Sequence, residues 1–281
     1  MNNLLCMLIG CFLLLDVHGQ EKAVAKIQYH FSHINDTTKT DIPVVDETIS
    51  YLGKDAYYFT SFSEEIMKKQ VDEQLALPSF DNHITLQFAT TPILQHYIIY
   101  PAERKTTLIE GISSNFDLHV IDEVYETQDW TITDEEKEIG GYLCQKATTT
   151  FKGRDYTAWF TNELPFPYGP WKLHGLPGLI LSANDARGEV SFAYAGFDTL
   201  TETKAIKPPA YALRSTKKDL DKLKKIFKDD PSGYQSSLAA AGKMDIPNAY
   251  YGIDYEKTSI SFDFKDYKPS KENNNPLEIS E

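Results

Sequence analysis

The hydrophobic positions along this chain recur mostly at period two. Between residues 23 and 34, Ala25, Ile27, Tyr29 and Phe31 fall on one side and Lys26, Gln28, His30 and Ser32 on the other. That is the pattern of a strand with one buried face. Residues 48–52 and 56–62 read as a hairpin around Gly53-Lys54-Asp55. Ile84, Leu86 and Phe88 alternate, and short apolar runs follow at 97–100, 106–109 and 118–121, separated by Gly and Asn. Residues 124–131 carry Tyr125 and Trp130. Gly140-Gly141 opens a turn, and residues 143–151 and 156–161 form a second hairpin around Lys152-Gly153-Arg154. Residues 179–182 and 189–197 give two more strands, and 255–264 a last one, in which Ile260, Phe262 and Phe264 alternate with Ser259, Ser261 and Asp263.

Two stretches have helical spacing. Ser63 is placed to cap a short helix ending near Leu75, with Glu64 and Glu65 complementing its dipole and Leu77-Pro78 stopping it. Thr216-Lys217-Lys218-Asp219 fits a capping box with Asp in the last position, followed by a stripe of Leu220, Leu223, Ile226 and Phe227 closed by Pro231. One stretch fits neither period. Between residues 163 and 178, Pro165, Pro167, Gly169, Pro170, Gly175, Pro177 and Gly178 exclude regular structure, while Phe166, Tyr168, Trp171, Leu173 and Leu176 are interleaved with them. The combination predicts an ordered loop packed on the protein. The expected fold is mainly β (α+β): a large curved antiparallel sheet, half-barrel-like, with two or three short helices on one face. Residues 20–264 read as one β-rich domain, and 265–281 as a polar, mobile tail except at 276–279.

The first nineteen residues read as a secretory signal peptide. Residues 4–15 are an apolar run too short to span a bilayer, and Val17, His18 and Gly19 precede a cleavage point before Gln20, although no Lys or Arg precedes the run. The alternative is a lipoprotein box at Leu8-Ile9-Gly10-Cys11, with Cys11 lipidated; the apolar run continuing to Leu15 speaks against it. After cleavage no transmembrane segment is expected, and Cys144 remains without an internal disulfide partner. The net charge of -13 repels phosphate backbones, which disfavours nucleic acid as a partner.

At residues 138–183 four blocks occur in order. They are Gly140-Gly141-Tyr142-Leu143-Cys144-Gln145-Lys146-Ala147, then Phe151-Lys152-Gly153-Arg154 with Tyr156-Thr157-Ala158-Trp159-Phe160, then Gly169-Pro170-Trp171-Lys172, and Gly175-Leu176-Pro177-Gly178-Leu179-Ile180. Here the chain resembles the GLPGLI family of exported Bacteroidota proteins, and Asn275-Pro276-Leu277-Glu278-Ile279 is similar to that family's ending. The resemblance implies an envelope location, periplasmic or associated with the outer membrane. It implies no established reaction and carries no catalytic residues. The pattern is also similar to the curved half-barrels of lipoprotein carriers, an analogy of fold that does not fix function.

The candidate ligand-binding residues are Arg154, Trp159, Glu163, Trp171 and His174. Arg154 followed by Asp155 reads as a surface pair, with a ligand clamp as the alternative. Glu163 reads as the acceptor of a backbone hydrogen bond within the loop it precedes. Trp159 and Trp171 read as core, with the wall of an apolar pocket as the alternative. His30, His33, His83, His96, His119 and His174 lack zinc-finger or HExxH spacing, so no metal is expected. There is no GxSxG elbow, P-loop or GxGxxG, and no cofactor is expected. Three functions remain open. The first is a non-enzymatic envelope protein binding a small apolar ligand or an outer-membrane transporter; the second a hydrolase of glycan or peptide, motivated by Glu163 and His174; the third a purely structural component.

Overall fold

The computed structural model describes residues 20–90, 92–113, 117–240, 257–264, 270 and 272–279. The stretch expected to be a leader, residues 1–19, and the part of the expected last strand before residue 257 lie outside these. Strands β1 (Lys22–His33), β2 (Val44–Leu52) and β3 (Tyr57–Ser61) lead into helix α1 (Ser63–Leu75) and strands β4 (His83–Phe88), β5 (Gln95–Tyr100), β6 (Lys105–Gly111) and β7 (Leu118–Glu123). Strands β8 (Thr131–Ile139), β9 (Tyr142–Phe151), β10 (Arg154–Thr161), β11 (Leu179–Asp185) and β12 (Val190–Ala205) follow, then β13 (Leu213–Arg214), helices α2 (Lys217–Asp229) and α3 (Pro231–Ala240), and β14 (Ser259–Phe264).

Twelve strands make one sheet in the order β13-β7-β6-β5-β3-β2-β1-β12-β11-β10-β9-β8. Every pair is antiparallel except β13 with β7. The end strands do not pair among the described residues, so the sheet is not closed into a barrel. The expected large β architecture is therefore the one observed. Its curvature follows from the core: Leu108 of β6, Ala25 and Phe31 of β1 and Cys144 of β9 all belong to one packed cluster.

What fills the concavity is the stretch at 163–178. Leu164, Tyr168, Trp171, Leu173 and Leu176 are buried in that same cluster, each large apolar side chain contributing roughly 1.5–3 kcal/mol on removal from water. A buried segment without regular structure must find partners for its peptide groups. Here the concave face supplies them. Ser50 Oγ donates to the Gly169 carbonyl (3.0 Å), Tyr57 Oη to that of Trp171 (3.1 Å) and Tyr29 Oη to that of Ile180 (2.7 Å). Trp130 Nε1 donates to the His174 carbonyl (2.8 Å). Within the segment Gly175 N donates to Pro167 O, and Ile180 N of β11 donates to Tyr168 O, both 3.0 Å. Burial drives the Tyr29 and Tyr57 hydroxyls well above their ordinary pKa, so both stay neutral donors.

Glycine serves this plug in two ways. Gly175 has φ +92°, and the Cβ of any other residue at Gly178 would fall on the Thr161 carbonyl. Trp171 takes φ +54° without being glycine, a conformation costing about 1–2 kcal/mol that its complete burial and the Tyr57 bond hold in place.

Helix α1 differs in detail from its expectation. Phe62 occupies the N-cap position and makes no side-chain cap; Ser63 instead accepts from Ser61 Oγ. Gln70 and Gln74 each bond both ways to the backbone of β4, at Gln87 and Thr85, acting as surrogate peptide groups along its free edge. The other edge of β4 pairs in parallel with β14. Thr216 caps α2 as expected, accepting from Asp219 N (3.2 Å). Pro231 does more than end that helix: it is the first residue of α3. Helices α2 and α3 pack through Leu220 and Tyr234 on Ile112 and Ile121. Among the described residues of the tail, Ser270 and Asn274 are tied to the domain: Asp36 accepts from Ser270 Oγ (2.6 Å) and Asn274 Nδ2 (3.1 Å).

Gly178→Ala should be strongly destabilising, by about 3 kcal/mol or more, because the backbone of β10 must move. Gly188→Ala, with φ +69° and open space around it, should cost about 1–2 kcal/mol. Urea unfolding of the two variants checks the order; equal losses would contradict the close approach.

Candidate functional site

Arg154 begins β10 directly after the turn at Lys152-Gly153. Strand alternation sends it inward with Tyr156, Ala158 and Phe160, while Asp155 points out. The expected surface pair with Asp155 is therefore wrong: Asp155 accepts from Thr150 Oγ1 (2.6 Å), and the Arg154 side chain is fully buried. All five N–H donors of its guanidinium are used. Nε donates to the Leu277 carbonyl (3.1 Å), Nη1 to Asp185 (2.7 Å) and Glu189 (2.8 Å), and Nη2 to Asn275 Oδ1 and the Pro276 carbonyl (both 2.8 Å).

The acidic partners are placed by the turn that closes β11. Asp185 Oδ1 accepts from the amides of Glu189 (2.7 Å) and Val190 (3.0 Å), leaving Oδ2 for the arginine. Burial raises the Glu189 pKa, but hydrogen bonds from Arg154 and Asn275 outweigh it and hold the carboxyl below its ordinary value.

Beside this group run residues 275–279, a strap laid across the cleft. Leu277 packs against the core and closes a cavity of about 40 Å³ with Phe31, Phe59, Ile93, Tyr97 and Trp171. Glu278 is held by Lys172 Nζ (2.7 Å) and Lys152 Nζ (3.5 Å). Those lysines have further partners, Glu123 for Lys172 (2.8 Å) and Glu126 for Lys152 (2.6 Å). Ile279 N donates to the Lys152 carbonyl (2.9 Å).

Of the residues expected from sequence, Arg154 and Trp171 line this cleft, and His174 lies close by. His174 stacks on Tyr125, donates its backbone N–H to Gln128 Oε1 (3.0 Å) and brings Nε2 to the Glu126 carbonyl (3.1 Å). Burial lowers its pKa to about 4, so it is neutral near pH 7. Trp171 is core, as read, and also walls the cavity. Trp159 alternates to the other face of β10, with Lys137 Nζ 4.2 Å from its ring centre. Glu163 does accept a backbone bond, but from Leu143 N (2.9 Å) at the start of β9 and not within the loop. Asp185, Glu189, Lys152, Asn275 and Glu278 were not singled out by their sequence context. The inward register of Arg154, flanked by apolar positions on its own face, was the available signal.

These features define a class, an open β-sheet protein with an internal plug and a strapped, charge-lined cleft. The chain matches the family described as N-glycanase peptide, N-terminal domain, over residues 62–224, and it belongs to that family. The matched span includes Arg154, Lys172, Asp185 and Glu189 but not the strap. Among solved structures it is similar to PNGF-II in two crystal forms, at 16% and 15% identity and a TM-score of 0.47 for each. The likeness covers 70% and 72% of this chain but 33% and 32% of those, so the chain spans about a third of their length. No curated protein matches it. No helix among the described residues is long and apolar enough to cross a membrane.

Arg154→Met leaves Asp185 buried and uncompensated, and should cost about 3–5 kcal/mol. Adding Asp185→Asn should recover part of that loss. A denaturant series on both variants checks this; full stability of the single variant would contradict the assigned network.

Proposed function

We propose that this chain is an exported, non-enzymatic binding module whose cleft holds an extended polypeptide segment of a partner. The observation that carries the reading is the seating of residues 275–279. Arg154 takes two successive main-chain carbonyls, lysines take a carboxylate, and an aromatic wall takes an aliphatic side chain. Main-chain contacts of this kind supply affinity for an extended peptide, and pockets for its side chains supply specificity. The cleft is also built to tolerate departure of its occupant. Without Glu278, Lys172 keeps Glu123 and Lys152 keeps Glu126; without the strap, Arg154 keeps Asp185 and Glu189. No buried charge is then left unpaired.

Export rests on the apolar run at 4–15, and membership of the GLPGLI family is part of the same proposal. An outer-membrane transport protein would meet an exported chain in that compartment. The family name supports glycoproteins as a source of partner segments. A small apolar ligand fits poorly, since about 40 Å³ is far below the roughly 300 Å³ of ligand pockets. The second reading, a glycan hydrolase, draws on the family name. Against it, Glu189 is committed to Arg154 and Asn275, His174 is neutral, and Glu163 stands exposed at a strand end.

A labelled, end-capped Asn-Pro-Leu-Glu-Ile peptide should bind the full chain carrying Leu277→Asp and Glu278→Lys, read by fluorescence anisotropy. The unaltered chain should bind it on the order of tenfold more weakly, because its own segment competes at high effective concentration. Release of N-glycans from a denatured glycoprotein by the unaltered chain, without peptide capture, would establish the hydrolase instead.

A further inference from the structure

The cleft does more with one strap residue than hold its backbone. Asn275 is buried, and each of its polar atoms is engaged. Its Nδ2 donates to the Ile34 carbonyl (2.7 Å) and to Glu189 Oε2 (3.0 Å), while Oδ1 accepts from Arg154 Nη2 (2.8 Å). Its backbone N donates to the Asn35 carbonyl (3.1 Å), and its carbonyl meets His33 Nε2 (2.8 Å). A carbonyl only accepts, so the proton sits on that ring nitrogen.

This pocket presents two acceptors and one donor, the complement of a primary carboxamide. An aspartate would set a carboxylate oxygen against the Ile34 carbonyl and Glu189. A glutamine would carry the amide one methylene too far. An asparagine bearing a sugar has only one hydrogen on Nδ2, and the pocket uses two. Three residues on, Lys172 and Lys152 ask for a carboxylate.

Resting on the peptide-binding reading above, we propose that the cleft recognises a partner segment of the form Asn-Pro-aliphatic-Glu by the primary carboxamide at its first position. Residues 275–279 are the built-in competitor that covers the site until such a segment displaces them. The carboxamide pocket sets the choice of residue at the first position, and the two lysines set it at the fourth. The site thus selects a primary carboxamide at this position and rejects aspartate.

The test uses four end-capped peptides on the full chain carrying Leu277→Asp and Glu278→Lys, and again on the full chain carrying only Asn275→Asp, so that failure of one variant to fold does not end it. The parent is Asn-Pro-Leu-Glu-Ile; the others replace Asn by Asp, replace Asn by N-acetylglucosaminyl-Asn, or replace Glu by Lys. Each replacement should weaken binding roughly 10- to 100-fold, the value of a lost charge-assisted hydrogen bond in a buried site. Equal binding of all four would overturn the carboxamide inference and leave a general peptide cleft standing. Failure of the parent to bind either variant would overturn the peptide-binding reading and this inference with it.

Discussion

An aperiodic segment can sit in a protein core only if its peptide groups find partners there. The rest of this structure depends on that constraint. Residues 163–178 cannot form helix or strand, yet they occupy the concave face of a twelve-stranded sheet. Hydroxyls of Ser50 and Tyr57 answer the carbonyls of Gly169 and Trp171 within this segment, and that of Tyr29, on the adjacent strand, answers Ile180 just after it in β11. An apolar side chain at any of these places would leave a carbonyl unanswered, at about 1–3 kcal/mol each. The tyrosines do two jobs: their rings fill the concavity, and their hydroxyls replace the missing ladder bonds. The plug in turn fixes where Trp171 and Lys172 stand.

Electrostatics then decides how the remaining opening is used. A buried guanidinium is costly unless its charge is paired; Asp185 and Glu189 neutralise that of Arg154 whether or not the strap is seated. The other three acceptors come from the strap, two of them main-chain carbonyls. The strap adds no strand to the sheet. Its links are side-chain bonds, one wedged leucine and two amides, the profile of a docked ligand more than of a structural layer.

Much of the scaffold is legible in the sequence because it depends on local spacing. The alternation in β1, the hairpin of β9 and β10, the Thr216 cap and the ordered character of the plug all follow from residues within one element. The buried role of Arg154 was legible as well, since Tyr156, Ala158 and Phe160 share its face, but the neighbouring Asp155 suggests a local pair that period two forbids. Other features are invisible locally. Helix α3 has almost no apolar stripe and carries Gly233 in its first turn. The strap is polar in composition, and its ties to Arg154 cross more than 120 positions of chain. The bonds of Gln70 and Gln74 to the edge of β4 reach 17 and 11 positions along the chain. The cleft is in this sense a product of topology: it joins the turn after β9, the turn after β11, the plug and the strap, which no single window of sequence contains.

The central claim is that the plug is permanent and the strap is removable. Hydrogen exchange of single amides tests it most directly, because local opening and global unfolding differ in free energy. The amides of Leu173 and Gly175, both bonded within the plug, should exchange only through global unfolding, and those of Asn275 and Ile279 through a much cheaper local opening. Exchange of all four at one common, global free energy would contradict the account and make the strap part of the core.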